Sequence, residues 1–187
     1  YGFGETIKHA IFLCYTKMFW PGARMIRLPI YARTKKNIQY GKGFTVGYGC
    51  KIAAVNESSI SFGVDVTLGD YVQLQSSNRI IIGNNVLFAS RIYVGDSNHG
   101  FYSGDNQSSP DIPPKDRLLN KGSIIIGNNV WIGNGVTIVG NVTIGDGVII
   151  GANSVVNKDL EPYTIYVGSP ARLIKRWNKT TGKWESV

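Results

Sequence analysis

The chain has 187 residues, 43% of them hydrophobic, with 23 glycines and a formal charge of +8. That length and apolar content suit one folded domain, and the glycines suit many short segments joined by tight corners. Two cysteines cannot build a disulfide framework, no uninterrupted apolar run reaches membrane-spanning length, and the basic excess comes without helix-turn-helix, zinc-finger or aromatic RNA-binding spacing, so no nucleic-acid partner is expected.

Residues 1–37 read as a helical, basic lead-in. Within it Ala10 to Trp20 is apolar and aromatic, with Lys17 inside and Lys8 and His9 adjoining. This pattern predicts an amphipathic helix packed on the end of the domain or on a neighbouring subunit, with peripheral membrane contact as the other use of such a helix. Pro21 and Pro29 break the segment, and Arg33, Lys35 and Lys36 close it. No signal peptide is legible, and the sequence begins at Tyr1 rather than Met.

From 38 to 160 the dominant signal is a period of six. Ile126, Ile132, Ile138, Ile144, Ile150 and Val156 form one register, and Ile124, Val130, Val136, Val142, Val148 and Ser154 form a second, two residues earlier. Two residues apart on a strand means the same face, so both registers point inward. Upstream, Tyr40, Val46 and Ile52, then Phe62, Leu68 and Leu74, then Ile82, Phe88 and Val94, keep the rhythm in three blocks that are out of phase with one another. Each block is one turn of a three-sided prism, and the phase breaks are insertions at corners. About fifteen hexapeptides give roughly five turns of a parallel β-helix. Cys50 falls on the inward register and reads as a small core residue, not a nucleophile.

A long polar interruption, 96–121, separates the third block from the last. Loops of this length in compact domains are functional or disordered. It carries His99 directly after a hexapeptide, so that histidine is expected near the prism wall while the rest of the loop projects outward. Asp96 is close enough in sequence to orient or charge-stabilise the ring, although its ordinary reading is a solvated loop carboxylate. His9, in the lead-in, reads as structural or exposed. After Pro162 the repeat stops; Thr164 to Val167 reads as an extended return, and after Gly168-Ser169-Pro170 residues 161–187 end in a basic tail expected to start with a short helix.

The segment VWIGNGVTIVGNVTIGDGVIIGANSVVNKDLEPYTIYVGSPARLIK resembles the C-terminal half of the hexapeptide-repeat acyltransferases, in their maltose/galactoside O-acetyltransferase-like branch. IGNNVLFASRIYVGDSNHG is similar to that family's run into its active-site histidine, and the lead-in, the KNIQYGKGFTVGYGC entry and the NHGFYSGDNQSSP loop look most like the subgroup that O-acetylates bacterial surface-polysaccharide precursors. The resemblance covers residues 38–176. It implies an all-β, left-handed parallel β-helix, a homotrimer with sites between prisms, and acetyl-CoA as cosubstrate. It maps the catalytic general base onto His99 and the coenzyme groove onto Asn134, Ala152, Asn157, Lys158, Arg172 and Lys175, with Trp131 on the outer wall at the groove or the trimer seam. No metal is implied. Where the branch commonly carries an acceptor-placing Asn, this chain has Gly69, and Asp70, Gln73, Ser77 and Asn78 stand as substitutes.

The function these features imply is acetyl-CoA-dependent O-acetylation of a small-molecule or lipid-linked sugar in surface polysaccharide or O-antigen assembly. The expected location is the cytoplasm or the inner face of the membrane. N-acetylation of an amino-sugar nucleotide, xenobiotic acetylation and a non-catalytic β-helix scaffold are the alternatives. A zinc-dependent relative of the fold would need several histidines, and two distant ones do not suffice.

Overall fold

The computed structural model describes residues 2–187, and the period of six appears in it as stacked coils. Face I of the prism contains Met25–Ile26, Thr45–Val46, Thr67–Leu68, Leu87–Phe88, Trp131–Ile132, Ile149–Ile150 and Thr164–Val167. Face II contains Ile30–Arg33, Cys50–Ala54, Gln73–Ser76, Tyr93–Gly95, Thr137–Val139 and Val155–Val156. Face III contains Ile38–Tyr40, Ser59–Phe62, Arg79–Ile82, Ser123–Ile126 and Val142–Ile144. The chain visits the three faces in turn, and each strand pairs in parallel with its counterpart one coil away, as in Leu87↔Trp131, Tyr93↔Thr137 and Ile80↔Ile124.

This register stacks like on like. Val46, Leu68, Phe88, Ile132 and Ile150 form one buried column and Ile52, Leu74, Val94, Ile138 and Val156 another. Each such side chain removed from water contributes roughly 1.5–3 kcal/mol. Ser154, the one polar member of the inward registers, is satisfied in the interior: its hydroxyl donates to Gly151 O at 2.7 Å and accepts from Gly168 N at 3.0 Å.

Every phase break falls at the same place. Ile52 to Phe62, Leu74 to Ile82 and Val94 to Ile126 all cross from face II to face III. The II–III corner therefore absorbs the insertions, including the long loop, while the other two corners keep the six-residue rhythm. Parallel stacking also starts earlier than the repeat predicts. Met25–Ile26 and Ile30–Arg33 already pair with Thr45–Val46 and Cys50–Ala53. Ile26 and Ala32 do keep the six-residue spacing, but Ala32 is a weak apolar signal and Arg27 and Pro29 hide the rhythm.

Helix α1, Phe3–Phe19, caps this first coil. Phe12 packs edge-on against Tyr48, and the buried Thr16 hydroxyl accepts from Ile26 N at 2.8 Å, satisfying an edge-strand donor. The other end differs from expectation. The tail is not helical: Arg172–Asn178 runs antiparallel to Thr164–Val167 and turns back as Lys183–Ser186. Over 172–176, partly buried Leu173 and Lys175 alternate with exposed Arg172, Ile174 and Arg176, the period of a strand, and the open edge of face I offers backbone partners that a short isolated helix would lack.

Candidate active site

The II–III corner releases the loop through a two-stranded antiparallel ribbon, Ser97–His99 against Leu119–Lys121. His99 is exposed on this ribbon, opposite Leu119, and its imidazole makes no hydrogen bond or ion pair within the described residues. Its backbone is fixed instead. The Tyr102 hydroxyl donates to His99 O, and Arg117 Nη1 donates to that hydroxyl at 2.9 Å. Arg117 also donates from Nε to Ile112 O at 2.9 Å and from Nη2 to Pro110 O, so one guanidinium ties three points of the loop to the histidine.

Asp96 does neither of the things its sequence position suggested. It is fully buried, not a solvated loop carboxylate, and its oxygens accept from Ser76 Oγ at 2.7 Å, Ser77 N at 2.6 Å and Asn78 N at 3.1 Å. With its carboxylate turned into the wall it makes no contact with the His99 ring. It fastens the foot of the ribbon to the coil below, because a buried carboxylate is tolerated only where donors replace its water. Nothing in the sequence distinguishes this aspartate from a surface one; the two serines and the Asn that receive it lie about twenty residues upstream, one coil away.

The remaining site candidates divide between two corners and two faces. Ser77 and Asn78 share the II–III corner with His99: Ser77 Oγ lies 3.0 Å from Ser97 Oγ, and Asn78 Nδ2 donates to Gly122 O at 2.9 Å and to Ser123 Oγ at 3.0 Å. Ser97 and His99 project to one side of the ribbon and Asn98 to the other. Asn98, Asn78, Asn120, Lys121 and Asn141 line a polar cleft of about 340 Å³. Asn157 and Lys158 are exposed at the same corner in the last coil. Gln73 faces outward from face II, in a smaller cleft with Tyr31, Lys51 and Tyr93.

Asp70, Asn134 and Ala152 belong to the I–II corner. There Asp70 Oδ1 accepts from Tyr48 N and Asn134 Oδ1 accepts from Ser90 N, each at 2.8 Å, so both side chains brace one coil against the next. Asn134 Nδ2 has no hydrogen-bond partner among the described residues. Small residues make this corner shallow: a Cβ on Gly133 would meet Ala152 N at 2.7 Å, and one on Gly151 would meet the Val167 side chain. Arg172 reaches the same corner, because Ala171 N donates to Val155 O at 2.8 Å. Lys175 lies opposite Ile165, on face I. Trp131 is half exposed on the outer wall of that face, between Leu87 and Ile149.

Gly69 also lies at the I–II corner, and a Cβ there would sit 2.5 Å from Ala89 O and 2.6 Å from its carbonyl carbon. Backbone fills the space an Asn side chain would need at this position. Cys50, as expected, is buried; burial pushes its thiol up to about 11, and its Sγ lies 3.0 Å from Gly69 O. It is protonated at neutral pH and does not serve as a nucleophile.

Comparison with known proteins agrees with this architecture. Residues 123–158 match the family described as bacterial transferase hexapeptide (six repeats). The chain is 38% identical over 188 aligned positions to WbbJ of Escherichia coli strain K12, a protein named for O-acetyl transfer in lipopolysaccharide biosynthesis, covering 100% of this chain and 96% of WbbJ. Among solved structures, a mutant of AntD, an N-acyltransferase from Bacillus cereus in complex with dTDP-4-amino-4,6-dideoxyglucose and coenzyme A, superposes with a TM-score of 0.68 at 26% identity over 85% of both chains. The hexapeptide-repeat acetyltransferase VCA0836 of Vibrio cholerae, complexed with acetyl coenzyme A, gives 0.57 at 25% identity, over 80% of this chain and 72% of its own. With coils, corners and an end-to-end relative in agreement, the chain belongs to the bacterial hexapeptide-repeat transferases, in their acyltransferase branch.

Proposed function

We propose that the protein transfers an acetyl group from acetyl-CoA to a sugar hydroxyl in surface-polysaccharide or O-antigen assembly, in the cytoplasm, with His99 as the general base. The observation that carries this reading is the His99 imidazole, exposed and uncommitted on a ribbon whose backbone is fixed by Tyr102, Arg117 and the Asp96 anchor. An ordinary imidazole is largely neutral near pH 7. It can take the proton of the sugar hydroxyl as that oxygen attacks the thioester carbonyl, and return the proton to the departing thiolate of the coenzyme. A backbone N–H at a coil corner would meet the oxyanion.

The coenzyme is assigned to Asn134, Ala152 and Arg172 along the I–II corner, with Lys175 on face I and, across a subunit seam, Asn157 and Lys158 of the II–III corner as further contacts. Small side chains let a pantetheine arm approach the wall, and the cations suit phosphate. His99 leaves from a different corner. A site assembled where the II–III corner of one subunit faces the I–II corner of the next accounts for that separation, and a homotrimer supplies such a seam three times over. Asp70, Gln73, Ser77 and Asn78 remain the acceptor candidates, with Ser77 on the His99 side of the ribbon.

Likeness to AntD favours a second reading, acylation of the amino group of a nucleotide-linked amino sugar. Thiol release from acetyl-CoA, followed with a panel of sugars, nucleotide amino sugars and antibiotics, separates the two. Turnover confined to amino acceptors would overturn the O-acetylation reading.

A further inference from the structure

Helix α1 is amphipathic the wrong way round for a helix that only caps a domain. Its inner side meets the prism with Phe12 and Thr16, and the partly buried Glu5 and His9 accompany them. At 100° per residue, Phe3, Ile7, Ala10, Ile11, Cys14 and Met18 share the opposite side. All six are exposed, Phe3 by 85% and Met18 by 73%, and no charged residue lies among them. An apolar stripe of this length facing water marks a contact surface.

The charge says what the surface meets. Residues 1–42 hold eight Lys and Arg against the single Glu5, a net of +7, so the rest of the chain contributes only +1. Among the described residues Lys8 pairs with Glu5 and Arg24 with Asp65. Lys17, Arg27, Arg33, Lys35, Lys36 and Lys42 have no carboxylate partner among the described residues. Lys35 sits against the helix end, its Nζ donating to Phe19 O and lying 4.4 Å above the Trp20 ring, and Arg27 lies over Tyr48, the ring on which Phe12 of the helix packs. A second copy of this end would set one concentration of positive charge against another, whereas an anionic bilayer is complementary to both the stripe and its collar. Spanning is not at issue, since no helix among the described residues is long and apolar enough to cross a membrane.

We propose that the N-terminal end of the prism, α1 with its collar of cations, docks on the surface of an anionic phospholipid bilayer, the apolar side of the helix lying at the acyl boundary. The proposal stands apart from the acetyl-transfer reading and survives its failure.

The test is flotation of the whole chain with vesicles of phosphatidylcholine alone and of phosphatidylcholine with one third phosphatidylglycerol. Binding is expected to the anionic vesicles only and to weaken steeply with salt. Each cation near such a surface is worth roughly fivefold in partition, so Lys17→Glu with Lys36→Glu is expected to cost more than tenfold. Ile7→Glu with Met18→Glu is expected to do the same through the apolar stripe. All four positions are at least partly exposed, so melting temperatures should stay with the parent's and turnover on a soluble acceptor should be unchanged. Equal binding to both vesicle types, or none to either, overturns the proposal. So does a drop in molar mass by light scattering for Ile7→Glu with Met18→Glu without vesicle binding by the parent, which would place the stripe between copies of the chain.

Discussion

Replacing Asp96 by Asn separates anchoring from catalysis. The buried carboxylate accepts from one hydroxyl and two backbone amides and has no cation partner among the described residues, so its charge is held by those three donors. Asn keeps the shape and one acceptor but turns an NH2 toward the others. The Ser76 hydroxyl can rotate to accept from it; the Asn78 N–H cannot. One unsatisfied buried donor costs about 1–3 kcal/mol, and conversion of the remaining charge-assisted bonds to neutral ones costs roughly 1 kcal/mol more. Relief of the buried charge offsets part of this. A net loss of about 2 kcal/mol lowers the melting temperature of a domain this size by roughly 4–8 °C. Asp96→Ala, which orphans all three donors, should melt lower still. With acceptor and acetyl-CoA saturating below the transition, Asp96→Asn should keep most of its turnover. A variant that melts with the parent yet loses a hundredfold or more in kcat would refute the anchor and return Asp96 to the His99 ring.

His99→Ala should lower kcat by roughly 10²-fold to 10⁴-fold with the fold and acetyl-CoA affinity intact, because the residue is exposed on a ribbon; a loss under threefold with the true acceptor would send the search to another base. Gly69→Asn, which restores the side chain common in related sugar acetyltransferases, should not improve acceptor binding and should destabilise by about 1–3 kcal/mol, read from a denaturant midpoint, because backbone lies 2.5 Å from the new Cβ. In a thiol titration of native protein at pH 8 only Cys14 should react, with Cys50 following in denaturant. The fold favours the neutral Cys50 thiol, so its contribution to stability is complete below the ordinary thiol range and is lost as pH rises toward about 11.

The prism was legible because its period is enforced by stacking: a residue that faces inward in one coil must meet a like residue in the next, as Ile126, Ile82 and Ile144 do. What defeated the reading lies at the ends and in the loop. Arg172–Asn178 is a strand because an open sheet edge waits for it, a fact about Thr164–Val167 and not about the tail's own residues. The burial of Asp96 depends on Ser76, Ser77 and Asn78, contacts that one-dimensional spacing does not announce. His99 stands out in the sequence by its position after a hexapeptide and by the family resemblance, whereas Arg117 and Tyr102, which hold its backbone, carry no periodic mark.

Arg172 and Lys175 offer the sharpest test of the divided site. Arg172 shares the I–II corner with Asn134 and Ala152, away from the corner that releases His99, and Lys175 lies on the adjoining face I. If this corner binds the coenzyme, replacing both residues by Ala should weaken CoA binding about tenfold or more, since each cation can make a charge-assisted bond to phosphate worth roughly 1.5–3 kcal/mol. The acceptor constant should hardly move, because the acceptor's proton is taken at the other corner. Calorimetry with CoA and dephospho-CoA on parent and double variant isolates the contribution of the 3′-phosphate, and the salt dependence of affinity should shrink with it. Equal CoA affinity in the two proteins would make the strand a structural cap on the last coil. Lowered affinity for CoA and acceptor alike would mean that both substrates cross this corner, and the division of labour between corners would have to be abandoned.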